Sequence, residues 1–237
     1  MKIHRFYLNE KFGVGRFEIK DKDLIHQIKS VLKLKPEENI ALYNGDGNEA
    51  RGILKEISQK GAVCEIIDIV KSENEPERKT HLFLAILKKE NFELAAQKAV
   101  ECGVSEITPL LTEKTVKLNI NMERVEKIIK EASEQSGRAM IPKINKVMNL
   151  KDFLPKKGEF TLFFNKNGED IFVLNKNIEN TNFEKINILI GPEGGWGEDE
   201  NNFALKNEFK MASLGKLTLR AETAVTVASY LANRLFI

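Results

Sequence analysis

The first 70 residues of the chain consist of short apolar runs that are separated by turn residues. The runs are rich in β-branched and aromatic residues and predict five strands, at residues 3–8, 16–19, 39–43, 49–57 and 62–70. Glycine, proline and asparagine mark the turns, and a helical pattern at residues 21–30 interrupts the strands. Short strands at such regular spacing predict a small β-barrel.

The pattern changes after residues 71–79, which are almost wholly polar. Apolar runs then predict further strands, at residues 81–87, 106–110, 160–164, 186–190 and 210–213. Helical patterns follow three of these strands, at residues 91–102, 122–137 and 222–236. Alternating strands and helices are typical of a parallel sheet that is covered on both faces. We therefore predict an α/β protein with a β-barrel domain at residues 1–71, a linker at 72–79 and an α/β domain at 80–237.

The three helical patterns carry apolar stripes that identify the residues expected to face a core. Gly103 follows the first helix and is expected to cap its C-terminus. Pro109 lacks an N–H group, so its strand should lie at a sheet edge or end near this residue. The stripes are Phe92, Ala95, Ala96 and Ala99 in the first helix, Val125, Ile128, Ile129 and Ala132 in the second, and Ala224, Val227, Ala228, Leu231 and Leu235 in the third.

Composition and charge exclude several functional classes. The net charge of +2 is not the strongly basic balance typical of nucleic-acid-binding proteins. The first 35 residues nevertheless hold nine lysines and arginines against four acidic residues, which fits a phosphate-binding surface and an ordinary solvated surface equally well.

The cysteines and histidines indicate neither a disulfide nor a metal site. Cys64 and Cys102 show no paired spacing and the three histidines form no zinc pattern, so we expect no disulfide, no metal and a reducing cytoplasm. Neither a signal peptide nor a membrane span is indicated.

The most specific feature is a pair of glycine-containing turns near the C-terminus. Residues 188–200 read I-L-I-G-P-E-G-G-W-G-E-D-E, and residues 214–224 read L-G-K-L-T-L-R-A-E-T-A. A glycine turn before a helix often binds phosphate. Here Glu198, Asp199 and Glu200 open the helix and would repel a phosphate, and the chain has no P-loop or dinucleotide-binding motif. The turns favour a small ligand without phosphate, and S-adenosylmethionine fits that description.

These turns, G-P-E-G-G at residues 191–195 and L-R-A-E-T-A at 219–224, resemble the SPOUT class of methyltransferases. More narrowly, they resemble the RsmE family of 16S ribosomal RNA uridine-N3 methyltransferases. Further blocks match that family in order along nearly the whole chain. They are M-K-I-H-R-F-Y-L at residues 1–8, positions within 87–104, T-E-K-T-V at 112–116, E-A-S-E-Q-S-G-R at 131–138 and I-P at 141–142.

Three residues depart from the family pattern. Ala221 stands where a threonine is common and removes a hydroxyl beside the expected active-site arginine. Asn91 stands where an arginine is common and removes a possible RNA-phosphate contact, and Cys102 replaces a usual leucine. None of these departures affects the glycine turns.

The resemblance implies a fold, a reaction and partners. The N-terminal domain would be a PUA-like β-barrel that binds RNA. The second would be a SPOUT-type α/β domain with a C-terminal trefoil knot, formed by the glycine turns and the final helix. The protein would be an enzyme that methylates N3 of a uridine in 16S ribosomal RNA within the small ribosomal subunit, with S-adenosylmethionine as cofactor. It would act in the cytoplasm as a homodimer that associates through the knot and the final helix.

The resemblance also assigns roles to residues. It places the active-site arginine at Arg220, where a cation would stabilise negative charge that develops on the uracil oxygens. The alternative role for Arg220 is structural, in an ion pair with Glu193 or Glu222. No residue is assigned as the general base that would remove the proton from uridine N3. Asn165 is a further possible cofactor contact. The expected cofactor contacts are mainly backbone groups of the two turns, from Leu189, Ile190, Gly191, Gly195, Leu214, Gly215 and Leu219.

Five basic residues are the candidate RNA contacts: Arg5, Lys88, Lys98, Lys114 and Arg138. Arg138 alternatively caps the helix that precedes it. Trp196, the single tryptophan, would either stack on a base or lie on the surface.

Two other functions fit the same residues. The first is a SPOUT methyltransferase that acts on another RNA, such as a transfer RNA. The second is a non-catalytic protein that binds ribosomal RNA during assembly and has kept the fold. Cofactor binding discriminates between them, because a pure binding protein need not retain it. A nucleotide-phosphate enzyme is disfavoured by the acidic helix start at Glu198.

Overall fold

The computed structural model describes residues 3–58, 61–115, 120–178 and 183–236. The chain divides into two compact units, the first containing Met1–Glu75 and Ser133–Ile141 and the second containing Pro76–Ala132 and Pro142–Ile237. The first boundary falls inside the predicted linker. Ser133–Ile141, which we predicted within the second domain, belongs instead to the first unit, because this segment contacts residues of that unit. Val116 and residues 59–60, which belong to a turn that Gly61 marks in the sequence, lie outside the described residues.

The first unit contains a five-stranded sheet and one short helix. Its strands are β1 (His4–Tyr7), β2 (Gly15–Ile19), β3 (Asn39–Tyr43), β4 (Asn48–Ile57) and β5 (Ala62–Lys71). The strand order is β1-β3-β4-β5-β2, with β1 parallel to β3 and the other pairs antiparallel. All five strands were predicted. Within the described ranges no ladder joins β1 to β2, so hydrogen bonds do not close the predicted barrel.

The core of the first unit lies between the sheet and α1 (Lys22–His26), which continues into a π-helical turn (Gln27–Val31). The Asp21 carboxylate accepts a hydrogen bond from the backbone N–H of Leu24 at 2.8 Å, which caps the helix. Leu24 and Ile28 then pack in a cluster with buried strand residues, including Phe6, Ile19, Ile40, Leu42, Leu54 and Ile66. The alternation of buried and exposed strand residues therefore directs one face of the sheet toward the helix.

The second unit contains a parallel sheet of seven described strands. They are β6 (Lys79–Ala85), β7 (Glu106–Leu111), β8 (Lys143–Ile144), β9 (Met148–Asn149), β10 (Glu159–Asp170), β11 (Lys185–Ile190) and β12 (Lys210–Ser213). The order is β12-β10-β11-β6-β7-β8, and β9 pairs with the far end of β7. All of its ladders are parallel, which confirms the α/β prediction.

The edge position expected for the strand of Pro109 was wrong, because β7 lies inside the sheet, but the strand does end near this residue, at Leu111. On one side Pro109 is paired with Leu84 of β6. On the other side β7 pairs with two separate short strands, at Glu106–Ile107 and at Leu110–Leu111. Pro109 falls in the gap between these two ladders. A residue without an N–H group is tolerated there because no neighbouring strand needs its hydrogen bond on that side.

Five helices accompany this sheet or adjoin it in the chain: α2 (Lys89–Glu101), α3 (Met122–Ser136), α4 (Ile171–Asn177), α5 (Glu198–Lys206) and α6 (Ala221–Leu235). The α2 stripe from Phe92 to Ala99 is fully buried, as predicted. The chain leaves α2 through Gly103, whose φ of 91° suits glycine. The helix α4 was not predicted.

The predicted stripe of α6 does not coincide with its buried face. The residues that α6 buries are Ala221, Val225, Ala228, Ser229 and Ala232. The helix packs against α2, β6 and β11, and these contacts use a face offset by one residue from the predicted stripe. Apart from Ala228, the stripe residues Ala224, Val227, Leu231 and Leu235 are only half-buried. A row of apolar side chains therefore remains partly exposed along α6.

A polar cluster lies on β6 and its neighbouring strands, around the buried His81. Its Nε2 lies 2.7 Å from Thr108 Oγ1, and its Nδ1 lies 3.6 Å from Glu106 Oε2. Lys185 pairs with the same carboxylate at 3.1 Å. Burial lowers the pKa of the His81 imidazole to about 4, and Lys185 adds to this effect while Glu106 opposes it.

His81 should make the protein less stable as the pH falls. Its pKa is about 4 in the folded chain and about 6.5 when unfolded, so only the unfolded chain takes up the proton between these values. The stability contributed by neutral His81 is complete above pH 6.5, and about 2 kcal/mol of it should be lost by pH 5. Urea unfolding from pH 7.5 to 5 measures this slope. His81→Gln should flatten it and His26→Gln, at an exposed histidine, should not. An unchanged slope in His81→Gln would contradict the assignment.

Within the described part of the chain, no helix is long and apolar enough to cross a membrane. The same residues contain no group of three or more histidine, cysteine or acidic side chains that could hold a metal ion. Both cysteines are free, and burial raises the pKa of the Cys64 thiol to about 11.

Candidate functional site

A cavity of about 400 Å³ lies in the second unit, where strands β11 and β12 end. The strand β11 ends at Ile190 and leads into the first glycine turn, and β12 ends at Ser213 and leads into the second. Both turns line the cavity, together with Phe164 and the residues that follow it in β10. Ligands of parallel α/β sheets commonly bind beyond the carboxyl ends of the strands. The two turns predicted from the sequence therefore meet at one site.

The first turn is held in a fixed conformation by its own backbone and by Trp196. The backbone N–H of Gly195 donates to the Pro192 carbonyl at 2.8 Å, and Gly195 has a φ of 67°, which suits glycine. The Trp196 ring is buried and stacks on Phe163 at a centroid distance of 4.4 Å. Its Nε1 donates to the Phe164 carbonyl at 2.8 Å. Trp196 is thus a buried residue beneath the turn, which corrects the prediction of a surface position. Trp196 also lines the cavity, and stacking on a base stays a prediction.

Gly191 leaves no room for a side chain next to Trp196. A Cβ atom at residue 191 would lie 2.9 Å from Trp196 Cε2, and the tryptophan cannot retreat without losing its contacts with Phe163 and Phe164. Gly191→Ala should therefore destabilise the protein by about 1–3 kcal/mol and change the fluorescence emission of the single tryptophan. Gly13→Ala, in open space, is the control for both measurements. Unchanged emission in Gly191→Ala would show that the close contact does not exist.

The first turn of α5 ties the glycine turn to two other segments. The buried Glu200 accepts hydrogen bonds from the backbone N–H of Gly197 at 2.7 Å and of Glu113 at 2.8 Å. The next residue, Asn201, donates to the Gly197 carbonyl at 2.7 Å and accepts from Asn165, which lines the cavity. Glu200 therefore does not only favour the start of the helix. Its carboxylate also joins Glu113 to Gly197, which lie 84 positions apart along the chain.

The second turn ends in Arg220 at the cavity wall. Gly215 has a φ of 102°, and a Cβ at this position would meet no atom within 4 Å. Arg220 is the N-cap residue of α6 and makes no side-chain capping bond, and its side chain is exposed. It has no ion pair with another described residue, so the predicted alternative pairs with Glu193 and Glu222 are not formed. The guanidinium is therefore available to a ligand at the cavity.

Six of the seven residues expected to contact the cofactor lie on the cavity wall: Ile190, Gly191, Gly195, Leu214, Gly215 and Leu219. The exception is Leu189, which is fully buried in a core cluster with Phe83 and Phe163. Neighbouring strand residues point to opposite faces, so the side chains of Ile190 and Leu189 cannot both face the cavity. The predicted contacts are made mainly by backbone groups, so contact with a cofactor stays a prediction for all seven residues.

Sequence reasoning missed three polar residues of the wall, Lys166, Ser213 and Thr218. Ser213 is the last residue of a predicted strand, directly before the second turn, so its position at the strand end was a usable signal. Lys166 lies just beyond the strand that we predicted at residues 160–164. Because β10 continues to Asp170, the stretch that contains Lys166 is held beside β12.

Three of the five candidate RNA contacts are paired with carboxylates. Arg5 lies 3.2 Å from the buried Glu49, and Lys98 lies 2.9 Å from Glu101, one helical turn away. Arg138 is buried and pairs with Glu75 at 2.8 Å, which corrects its assignment to the RNA surface. The same carboxylate of Glu75 accepts the backbone N–H groups of residues 139 and 140. Arg138 is therefore held inside the first unit.

The other two candidates differ from each other. The Lys114 Nζ donates to the carbonyls of Gly194 at 3.1 Å and Trp196 at 3.2 Å, so it contacts the first glycine turn. Lys88 is exposed at the start of α2 and forms no ion pair with a described residue. Among the five, only Lys88 presents a side chain without a described partner to an RNA.

Comparison with known proteins identifies the class to which this fold and site belong. The RNA methyltransferase PUA domain matches residues 19–67, and the RNA methyltransferase domain matches residues 73–233. The second match covers the whole of the cavity wall.

Relatives and solved structures narrow the class. Ribosomal RNA small subunit methyltransferase E of Mesomycoplasma hyopneumoniae is 37% identical over 94% of this chain and 95% of its own, and the protein of that name from Rickettsia conorii is 32% identical over 96% and 94%. The chain therefore belongs to the ribosomal RNA small subunit methyltransferase E family of RNA methyltransferases. The Neisseria gonorrhoeae member, solved bound to S-adenosylmethionine, matches with a TM-score of 0.85 and 28% identity over 96% of this chain and 95% of its own. A Legionella pneumophila putative methyltransferase, also with bound S-adenosylmethionine, gives 0.81 and 28% over 98% of both chains.

Proposed function

We propose that this protein transfers a methyl group from S-adenosylmethionine to N3 of a uridine in 16S ribosomal RNA of the small ribosomal subunit. The observation that carries the proposal is the cavity between the two glycine turns, with Arg220 at its wall. Relatives of the same family and similar structures with bound S-adenosylmethionine support the choice of cofactor.

The residues of the cavity fit this cofactor. Cavities of a few hundred cubic ångströms accommodate small ligands and cofactors, and this one has a volume of about 400 Å³. Ile190, Leu214 and Leu219 provide apolar contacts for a purine ring, and Gly195 and Gly215 leave open space beside the backbone. Glu193 on the wall suits a cation better than a phosphate. When bound, S-adenosylmethionine supplies a methyl group on a positively charged sulfur.

Arg220 performs the main electrostatic task in this proposal. Uridine N3 carries a proton at neutral pH, and its loss places negative charge on the uracil oxygens O2 and O4. A guanidinium beside these oxygens stabilises that charge electrostatically. Arg220 is exposed and has no ion pair with a described residue, which leaves its donors available for this contact. The backbone at residue 220 is fixed by the start of α6, where its carbonyl accepts the N–H of Ala224 at 2.8 Å.

RNA binding is assigned to the PUA-like first unit and to Lys88 of the second. The first 35 residues supply the excess of lysines and arginines, and phosphate contacts of this kind depend strongly on salt. The ribosomal RNA substrate places the protein in the cytoplasm.

The proposal includes a homodimer and a trefoil knot in the second unit. The half-buried row Ala224, Val227, Leu231 and Leu235 of α6 offers an apolar face to a second copy of the chain. Tyr230 extends this face, because 54% of its surface is exposed. The knot is supported by the position of β12, which pairs with β10 on the side away from β11. Sedimentation equilibrium should give twice the mass of one chain. The mass of a single chain would contradict the proposed dimer.

Methyl transfer to small ribosomal subunits tests the function. Purified protein and labelled S-adenosylmethionine would be incubated with subunits from cells that lack the gene, and cofactor binding would be measured in parallel by calorimetry. We expect binding of the cofactor and label in the 16S ribosomal RNA. Binding without transfer would indicate another RNA, and absence of both would contradict the enzymatic function.

A further inference from the structure

A second segment of the chain, the Thr112–Thr115 turn, is docked on the first glycine turn. The Nζ of Lys114 donates one hydrogen bond to the Gly194 carbonyl at 3.1 Å and one to the Trp196 carbonyl at 3.2 Å. The Gly194 carbonyl belongs to the peptide group that joins residues 194 and 195, and the Trp196 carbonyl belongs to the one that joins residues 196 and 197. Lys114 therefore holds the peptide groups at the two ends of the Gly195 and Trp196 pair, and both of these residues line the cavity.

Backbone contacts support the same docking from the other side. The N–H of Glu113 and the N–H of Gly197 donate to the two oxygens of Glu200, so one buried carboxylate joins the two turns. A Cβ at residue 197 would collide with the carboxylate of Glu113, so a larger residue there would displace that side chain. The two segments are in close contact at several points, and Lys114 extends from that contact toward the cavity wall.

The Thr112–Thr115 turn presents Lys114 from a rigid base. The Thr115 hydroxyl accepts the backbone N–H of Thr112 at 3.0 Å, and the two threonine hydroxyls lie 2.7 Å apart. A lysine on such a turn loses less conformational freedom when it binds the carbonyls than a lysine on a mobile loop would. Charge-assisted hydrogen bonds of this kind are also stronger than neutral ones.

We propose that Lys114 is a positioning residue for the methyl donor, and that the Thr112–Thr115 turn holds the first glycine turn in the conformation that binds S-adenosylmethionine. This inference rests on the function proposed above. It replaces the sequence-based expectation that Lys114 binds RNA. Two of the three N–H donors of its ammonium are already directed at carbonyls of the protein, which leaves one for a phosphate.

The test compares Lys114→Met with Lys114→Arg. Methionine keeps most of the length of the side chain but cannot donate, so the affinity for S-adenosylmethionine should fall about tenfold. Arginine can donate to both carbonyls and should restore most of the affinity. Trp196, the single tryptophan, gives a second signal, because its carbonyl is one of the two acceptors. Its emission in the absence of cofactor should change in Lys114→Met and return toward wild type in Lys114→Arg.

RNA affinity separates this role from the alternative. Lys114→Met should bind small-subunit RNA as tightly as wild type, and its turnover at saturating S-adenosylmethionine should be close to normal. Lys88→Met, which removes the same charge from an exposed lysine, should weaken RNA binding and leave cofactor affinity unchanged. If Lys114→Met weakens RNA binding with normal cofactor affinity and emission, Lys114 is an RNA contact and the inference is wrong.

Two further results are distinguishable from these. If wild-type protein does not bind S-adenosylmethionine, the proposed function fails and the inference fails with it. If wild type binds and the methionine variant binds equally well, only the inference fails. Urea midpoints would establish that each variant is folded. Should the methionine variant not fold, Lys114→Gln replaces it, because glutamine is too short to span both carbonyls and should lower cofactor affinity in the same way.

Discussion

Replacement of Arg220 by alanine should lower the rate of methyl transfer about 100- to 1000-fold, while the affinity for S-adenosylmethionine stays within about twofold of wild type. The reason is that the guanidinium acts on charge that appears on the uracil oxygens during the reaction, and not on the bound cofactor. The rate should be measured with saturating cofactor and small ribosomal subunits, so that a loss of binding cannot imitate a loss of rate.

Lys216→Ala is the matched control for Arg220→Ala. It removes a positive charge from an exposed position in the same turn, and this residue is not part of the cavity wall. We expect it to leave the rate nearly unchanged. Normal turnover in Arg220→Ala with normal cofactor binding would show that another group stabilises the developing charge.

Replacement of Arg138 by alanine should destabilise the protein by about 3–5 kcal/mol. Arg138 and Glu75 are both buried, with side-chain exposures of 4% and 8%, and the substitution leaves the Glu75 carboxylate without its cationic partner. Two backbone N–H groups would still bind one oxygen of Glu75, and the other oxygen would lose both of its guanidinium donors. Urea unfolding monitored by circular dichroism at pH 7 measures the change.

The exposed pair of Lys98 and Glu101 provides the comparison for Arg138. Its two side chains are 36% and 29% exposed, so Lys98→Ala should cost less than about 1 kcal/mol. The difference between the two variants reports the effect of burial on an ion pair. A stable Arg138→Ala variant with weakened RNA binding would instead show that Arg138 contacts RNA.

The sequence predicted the features that depend on neighbouring residues. The apolar runs of the sequence predicted β3 and β12 at the same residues that form these strands in the structure. The glycine turns were recognisable because glycine and the acidic helix start lie within a few residues of each other. Since these turns follow strands of one parallel sheet, their meeting at one cavity also followed from the predicted fold.

Features that depend on distant partners could not be predicted from the sequence. Arg138 pairs with a carboxylate 63 residues away, and nothing in its local sequence distinguishes an arginine in such a pair from one that binds RNA. The buried face of α6 was misplaced by one position because apolar residues occur on both faces of this helix. The burial of Trp196 was missed because its stacking on Phe163 is visible only in three dimensions.

Nucleoside analysis of the methylated RNA is the most direct test of the central claim. Small subunits from cells that lack the gene would be treated with the purified protein and S-adenosylmethionine, and their 16S ribosomal RNA would be digested to nucleosides. We expect 3-methyluridine as the single new product with wild-type protein and almost none with Arg220→Ala. A methylated nucleoside other than 3-methyluridine, or no product despite bound cofactor, would contradict the proposed reaction.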